Sequence, residues 1–185
     1  MKSLTIPYNG RPLAIITECD ICKDFDPNDN TSRDTAKYMS VKALWDTGCS
    51  GIAISQKVVD TLGLIGNGST TVHNAGEDYV SQYYPISIRL PNNADIHFLR
   101  ATLAKTNGFD ILLGMDVICL GDFSVSNYEG KTCMSFRVPS IKKIDYVEEN
   151  VKYEKIFKIQ SKKGIMKCPC NSGKLYKNCH GAEVK

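Results

Sequence analysis

The stretch Ala43-Leu44-Trp45-Asp46-Thr47-Gly48-Cys49-Ser50-Gly51 constrains this chain more than any other. An apolar run enters Asp-Thr-Gly, and a second one, Ile52-Ala53-Ile54, leaves it. Asp and Gly are poor strand residues, so the triplet is an abrupt stop inside a sheet. It fixes one carboxylate at the end of a strand, in a tight turn. Thr47 sets a hydroxyl beside it, and Gly48, with no Cβ, lets another backbone come close. Taken alone, Asp46 reads either as a turn residue capping a sheet edge or as half of a carboxylate pair that shares one proton.

The remaining pattern is mostly β. Residues 3–8 and 12–16 are expected to form two strands turning at Asn9-Gly10. The polar stretch 20–36 reads as a loop, and 37–45 as the strand entering Asp46. Ser55 is placed to cap a helix over 56–62 that Gly63 ends, with Val58, Val59 and Leu62 on one face. Strands over 70–73 and 79–83 form a hairpin whose tip is 74–78. Strands over 85–90 and 96–104 follow, and then 109–114, an apolar run that breaks at Gly114 as a buried strand does. A short helix over 115–120 precedes a last hairpin, 123–127 and 132–138, closed by Pro139. No internal repeat is present.

With 185 residues and 42% hydrophobic content, the chain fits one medium domain, or a smaller one with an appendage. No apolar run approaches the ~20 residues of a membrane-crossing helix. The N-terminus lacks the apolar core of a secretory signal, so a cytoplasmic location without membrane contact is expected. Eight cysteines then read as thiols or metal ligands rather than disulfides. Residues 1–141 carry 12 basic and 15 acidic side chains, and residues 142–185 carry 11 and 5. That asymmetry implies two units with different partners. The expected division is a β domain over 1–140, a basic linker over 141–164, helical over about 147–159, and a cysteine-bearing motif over 165–185.

The order strand, Asp-Thr-Gly, hairpin, then Ile111-Leu112-Leu113-Gly114-Met115-Asp116 resembles the retropepsin-like aspartic proteases across residues 1–140. Gly121-Asp122-Phe123 and the hairpin after it look like bacterial members of that family. The resemblance implies a mainly β fold: a closed β-barrel or sandwich lobe with one or two short helices. It implies Asp46 as the catalytic aspartate, Thr47 bracing the active-site turn through its hydroxyl, and Gly48 accepting substrate backbone. Residues 74–78, with Asn74, Ala75, Gly76 and Glu77, would be the flap that closes over a polypeptide substrate. Gly114 and Asp116 would support the turn from beneath, Asp116 as a structural hydrogen-bonding group. Cys49 stands where many relatives carry alanine.

The chain holds a single Asp-Thr-Gly. The enzyme implied is therefore a homodimer in which one Asp46 from each subunit meets at a two-fold axis. The ionised carboxylate would act as general base on a water, while the protonated one polarises the scissile carbonyl and later donates its proton. Such a pair titrates as a unit, giving a bell-shaped pH profile on the acid side of neutral.

The tail Cys168-Pro169-Cys170-Asn171-Ser172-Gly173-Lys174-Leu175-Tyr176-Lys177-Asn178-Cys179-His180 supplies three thiols and an imidazole, the four ligands of a closed structural zinc site. The spacing resembles the SEC-C motif over 165–182. Cys168, Cys170, Cys179 and His180 would hold Zn2+ with no position left open for catalysis. A unit this short would draw its folding energy from the metal. Its lysines suit an acidic partner, a protein surface or RNA, or simply a solvated linker.

Other candidates carry less. Cys19-x-x-Cys22 has ligand spacing but no second pair nearby, and reads as two ordinary thiols or a redox pair. Cys119 and Cys133 sit in apolar settings that suggest core. His73 and His97 read as surface or half-buried residues, and Trp45 as core packing. No Ser-His-Asp arrangement is defensible from the sequence. Two further functions stand beside the peptidase: a non-catalytic module that binds peptides in the same cleft, and an adaptor acting through the zinc knuckle.

Overall fold

Strand β3 (Met39–Trp45) shows how the sheet is written into the chain: Val41, Ala43 and Trp45 are buried, while Ser40 and Lys42 face outward. That period of two is what a strand with one face on a core requires. The computed structural model describes residues 1–73, 76, 78–162, 164, 165, 167, 168 and 172–180, with residues 156–162 described by backbone alone.

Around β3, six strands close into a barrel: β2 (Ile15–Lys23), β3, β8 (Ile111–Leu113), β4 (Ile52–Ile54), β7 (Asp95–Leu103) and β6 (Asp78–Arg89). The ring shuts where β6 pairs back onto β2, from Asp20↔Arg89 to Lys23↔Ile86. Closure removes the unpaired strand edges that an open sheet would leave. Strand β5 (Ser69–His73) hangs on β6 as an antiparallel hairpin outside the ring. Ile21, Ile54, Ile86, Ala101, Ile111 and Leu113 are fully buried inside it. Each large apolar side chain so buried contributes about 1.5–3 kcal/mol.

A second sheet orders β1 (Lys2–Pro7), β10 (Cys133–Val138) and β9 (Asp122–Ser126). Trp45 joins it to the barrel. Its ring stacks on Phe123 at 5.6 Å, meets Phe136 at 5.0 Å, and its indole N–H donates to Thr17 Oγ1 at 2.9 Å. Asp122 and Arg137 pair across β9 and β10. The Ser140 hydroxyl, the Arg137 guanidinium and the Ile141 N–H hold the Asp122 carboxyl well below the usual carboxylate range.

The helices of the barrel unit are short. α2 (Gln56–Leu62) starts where the Ser55 side chain accepts the Val58 N–H, and it ends at Gly63, whose φ of 59° is the left-handed cap. α3 (Met115–Ile118) follows β8 directly. Together with the barrel, these confirm the mainly β class with few short helices.

Two local expectations are corrected. The turn at Asn9-Gly10 does not join a hairpin: β1 pairs with β10, from Lys2↔Val138 to Pro7↔Cys133. Leu4 and Phe136, directly opposite each other, are both buried, so apolar packing chose the partner and the turn only redirected the chain. The polar stretch 20–36 is not all loop. β2 runs on to Lys23 because Ile21 and Cys22 bury, and α1 (Asn30–Thr35) forms behind an Asp29 cap.

The chain divides into two compact units, Met1–Lys142 and Lys143–Lys185. The second holds α4 (Tyr146–Lys162) and the cysteine motif. Among the described residues no helix is long and apolar enough to cross a membrane.

Candidate active site and metal centre

A polar turn at the end of a buried strand must find partners for its backbone groups, and residues 46–51 find them in residues 113–116. β8 lies between β3, which it meets in parallel, and β4, which it meets antiparallel. Its end is thereby driven under the turn that joins those two strands. The Asp46 N–H donates to Leu113 O at 3.0 Å, Met115 N–H to Cys49 O at 2.8 Å, and Asp116 N–H to Ser50 O at 3.1 Å. Each such bond contributes about 0.5–1.5 kcal/mol net, and together they fix where the carboxylate stands.

Gly114 makes this contact feasible. A Cβ there would lie 2.3 Å from Gly51 O and 2.7 Å from Cys49 O. Asp116 ties the exit of the turn, because its carboxylate accepts the Val117 N–H at 2.9 Å and also the Ile52 N–H. Part of Asp116 is open to solvent, yet desolvation by the backbone wrapped around it raises its carboxyl above the usual range, against the pull of those N–H groups.

Above this support Asp46 is half-buried, and Thr47 and Gly48 are exposed. The Gly48 N–H donates to Asp46 Oδ1 at 2.8 Å, a charge-assisted bond that orients the carboxylate. The Cys49 thiol is turned back onto Gly51 O at 3.3 Å. Asp46, Thr47, Gly48, Gly114 and Asp116 are thus brought together. Of the residues read as a flap, Gly76 lies between β5 and β6, while Asn74, Ala75 and Glu77 lie outside the described residues. At the tip end of that hairpin, where β5 and β6 last pair, His73 Nδ1 and Asp78 Oδ1 lie 2.8 Å apart.

The motif near the C-terminus brings Cys168 Sγ, Cys179 Sγ and His180 Nδ1 within 4.8 Å of one another. Cys168 Sγ lies 3.1 Å and Cys179 Sγ 3.4 Å from His180 Nδ1. A tetrahedral zinc with Zn–S of about 2.3 Å and Zn–N of about 2.0 Å sets its sulfur and nitrogen ligands about 3.5 Å apart. The donor set and its spacing therefore fit zinc. A β-bridge, Lys167↔Leu175, and the bond from Cys168 N–H to Lys174 O at 2.8 Å hold the knuckle closed. Cys170 lies outside the described residues.

Other thiols are corrected or settled. Cys119 is exposed and Cys133 half-buried, so neither is core. Cys119 follows α3 directly and ends up at the surface, while Val117 and Ile118 bury. Cys19 and Cys22 are free, buried thiols on β2 and not a disulfide. Three apart on a strand, they face opposite sides. Burial pushes the Cys19 thiol up to about 12 and the Cys22 thiol up to about 11, which leaves both chemically quiet.

The fold also assembles a cluster that the sequence does not reveal. Ser87 Oγ donates to Asp24 Oδ1 at 2.7 Å and lies 2.9 Å from His97 Nδ1. The single hydroxyl proton goes to Asp24, so His97 Nδ1 is the donor to Ser87. Ser87 is fully buried and sits between its partners, so it is a structural knot and not a nucleophile. It lies at the β6 irregularity between Ile86 and Ile88. Phe98 takes a φ of 59° there to place its N–H on Asp24 Oδ1 at 3.0 Å. No local signal marks this cluster, because its members come from β6, β7 and the residue just after β2.

The support under Asp46 makes a test. Gly114→Ala must push the 49–51 backbone aside, and overpacking of this kind costs about 1–3 kcal/mol. Urea unfolding should show that loss, and an unchanged midpoint would mean that the two turns are not in firm contact.

Among solved structures, the fold is similar to a retropepsin-like aspartic protease from Rickettsia conorii. The identity is 13%, covering 73% of this chain and 92% of that one, with a TM-score of 0.43. It is also similar to EIAV protease complexed with the inhibitor HBY-793, at 18% identity over 61% of this chain and 91% of that one, with a TM-score of 0.41. Comparison with curated proteins gave no match. Residues 167–182 match the family model of the SEC-C motif.

Proposed function

We propose that the chain is one protomer of a homodimeric aspartic endopeptidase. The observation that carries this reading is the presentation of Asp46. Its carboxylate stands at the end of a barrel strand, in a turn held from beneath by the 113–116 backbone and oriented by the Gly48 N–H. Asp46 is half-buried and Thr47 and Gly48 beside it are exposed, so the turn is open to a second copy.

In this reading two such turns face each other across a two-fold axis, and the two Asp46 carboxyls share one proton. The ionised one takes a proton from a bound water as that water attacks the scissile carbonyl. The other donates a hydrogen bond to the carbonyl oxygen, and its proton is available for the leaving amine. Thr47 stands next to the axis, where its hydroxyl can brace the paired turns. Gly48 leaves room for substrate backbone, and the β5–β6 hairpin around Gly76 is the element that closes over it. Asp116 and Gly114 act through the turn and touch no substrate.

The experiment is digestion of an unstructured protein such as casein by the full chain, across mildly acidic pH. Wild type should cleave, with a bell-shaped pH dependence, and Asp46→Asn should lower the rate by about 10²–10⁴-fold. Equal digestion by the two would remove the peptidase reading. Peptide binding without cleavage by either would leave the non-catalytic binding module in its place.

We further propose that Cys168, Cys170, Cys179 and His180 hold a structural zinc, which supplies folding energy and no step of the hydrolysis. The basic tail then serves recognition of a protein or RNA partner. Purified chain should carry about one zinc per protomer. A strong chelator should unfold the knuckle, read as loss of chemical-shift dispersion for residues 172–180, and leave the barrel signals in place. Unchanged spectra on chelation would contradict a metal-dependent knuckle.

A further inference from the structure

α4 begins behind Asp145, whose carboxylate accepts the Glu148 N–H at 3.0 Å. The Lys143 ammonium and that N–H hold the Asp145 carboxyl below the usual range. Over residues 146–155 no side chain of the helix is buried. A helix with nothing to pack on draws little stability from propensity alone.

Its apolar side chains nonetheless share a side. At about 100° per residue, Tyr146, Val147, Val151 and Tyr153 fall within an arc of about 160° around the axis. They are 63%, 76%, 48% and 67% exposed. The far side carries the Glu148–Lys152 ion pair, at 3.4 Å.

Charge is divided along the helix. Residues 145–154 hold Asp145, Glu148, Glu149 and Glu154 against Lys152, a net charge of −3. Residues 155–163 hold Lys155, Lys158, Lys162 and Lys163 and no acid, a net charge of +4. Acids at the start and bases at the end suit the dipole of the helix itself. The dipole does not account for an apolar side left in water.

A second α4 laid antiparallel accounts for both features. It sets each acidic half against a basic half, twice over, and covers the apolar side of both helices. Such a pair is two-fold and closes on itself. A parallel pair would set like charges side by side, which is destabilising.

We infer that α4 docks antiparallel on the α4 of a second copy of this chain. The contact belongs to the second unit and needs no peptidase activity, so it and the Asp46 reading can fail separately.

The test refolds unlabelled and 15N-labelled full chain together in the presence of zinc. A carbodiimide then joins lysine amines to carboxylates as amides, taking up the water released. Antiparallel pairing predicts mixed-isotope crosslinks between 145–154 of one copy and 155–163 of the other. Sedimentation equilibrium reads the charges. Glu148→Lys/Glu149→Lys/Glu154→Lys should weaken association about tenfold, as several surface ion pairs turn repulsive. Salt should weaken the wild-type pair. Adding Lys155→Glu/Lys158→Glu/Lys162→Glu to the same chain restores complementarity between copies while opposing the dipole of each helix, and should restore association.

A dimer that gives no mixed crosslinks within α4 overturns the helix pairing and leaves the Asp46 homodimer standing. A doubly reversed chain as weak as the singly reversed one also overturns it, because the charges then serve only each helix's own dipole. A monomeric wild type overturns both readings. Mixed crosslinks in a chain that digests no casein support the pairing and remove only the peptidase.

Discussion

The contact between two backbone turns, 46–51 and 113–116, is what the rest of the first unit depends on. An aspartate left half-exposed at the end of a buried strand has no side-chain packing to hold it. Its position comes from hydrogen bonds running from one turn to the other, namely Asp46 to Leu113, Met115 to Cys49 and Asp116 to Ser50. Those bonds exist because β8 is inserted between β3 and β4, and β8 stays there because Ile111 and Leu113 are fully buried. The closed barrel thus converts apolar burial into the precise placement of one polar group.

Much of this was legible in the chain. The apolar runs on either side of Asp-Thr-Gly located β3 and β4, and Ile111 to Gly114 located the strand that supports them. Ser55 and Gly63 bounded α2 through cap chemistry that is local by nature. The failures share a cause. Turn signals specify where a chain bends and not which strand it then meets, so Asn9-Gly10 suggested a hairpin where β1 instead crosses the whole domain to β10. Composition averaged over 20–36 concealed Ile21 and Cys22, two buried positions at the end of a strand. Ser87, Asp24 and His97 could not be grouped at all, because nothing in their spacing anticipates that β2, β6 and β7 converge.

The two units meet the problem of folding by different physical means. The barrel buries enough apolar surface to stand on hydrophobic packing. Among the described residues of the knuckle only Cys168 is buried, and their order rests on a few backbone bonds and on the close approach of Cys168, Cys179 and His180.

The central claim is that a second copy brings its Asp46 beside the first. A crystal structure of the active assembly measures this directly, as the separation of the nearest carboxyl oxygens of the two Asp46 residues. The account predicts a shared-proton contact of about 2.5–3.0 Å on a two-fold axis. A monomer, or a dimer that holds these carboxyls apart and turns each toward solvent, would contradict it.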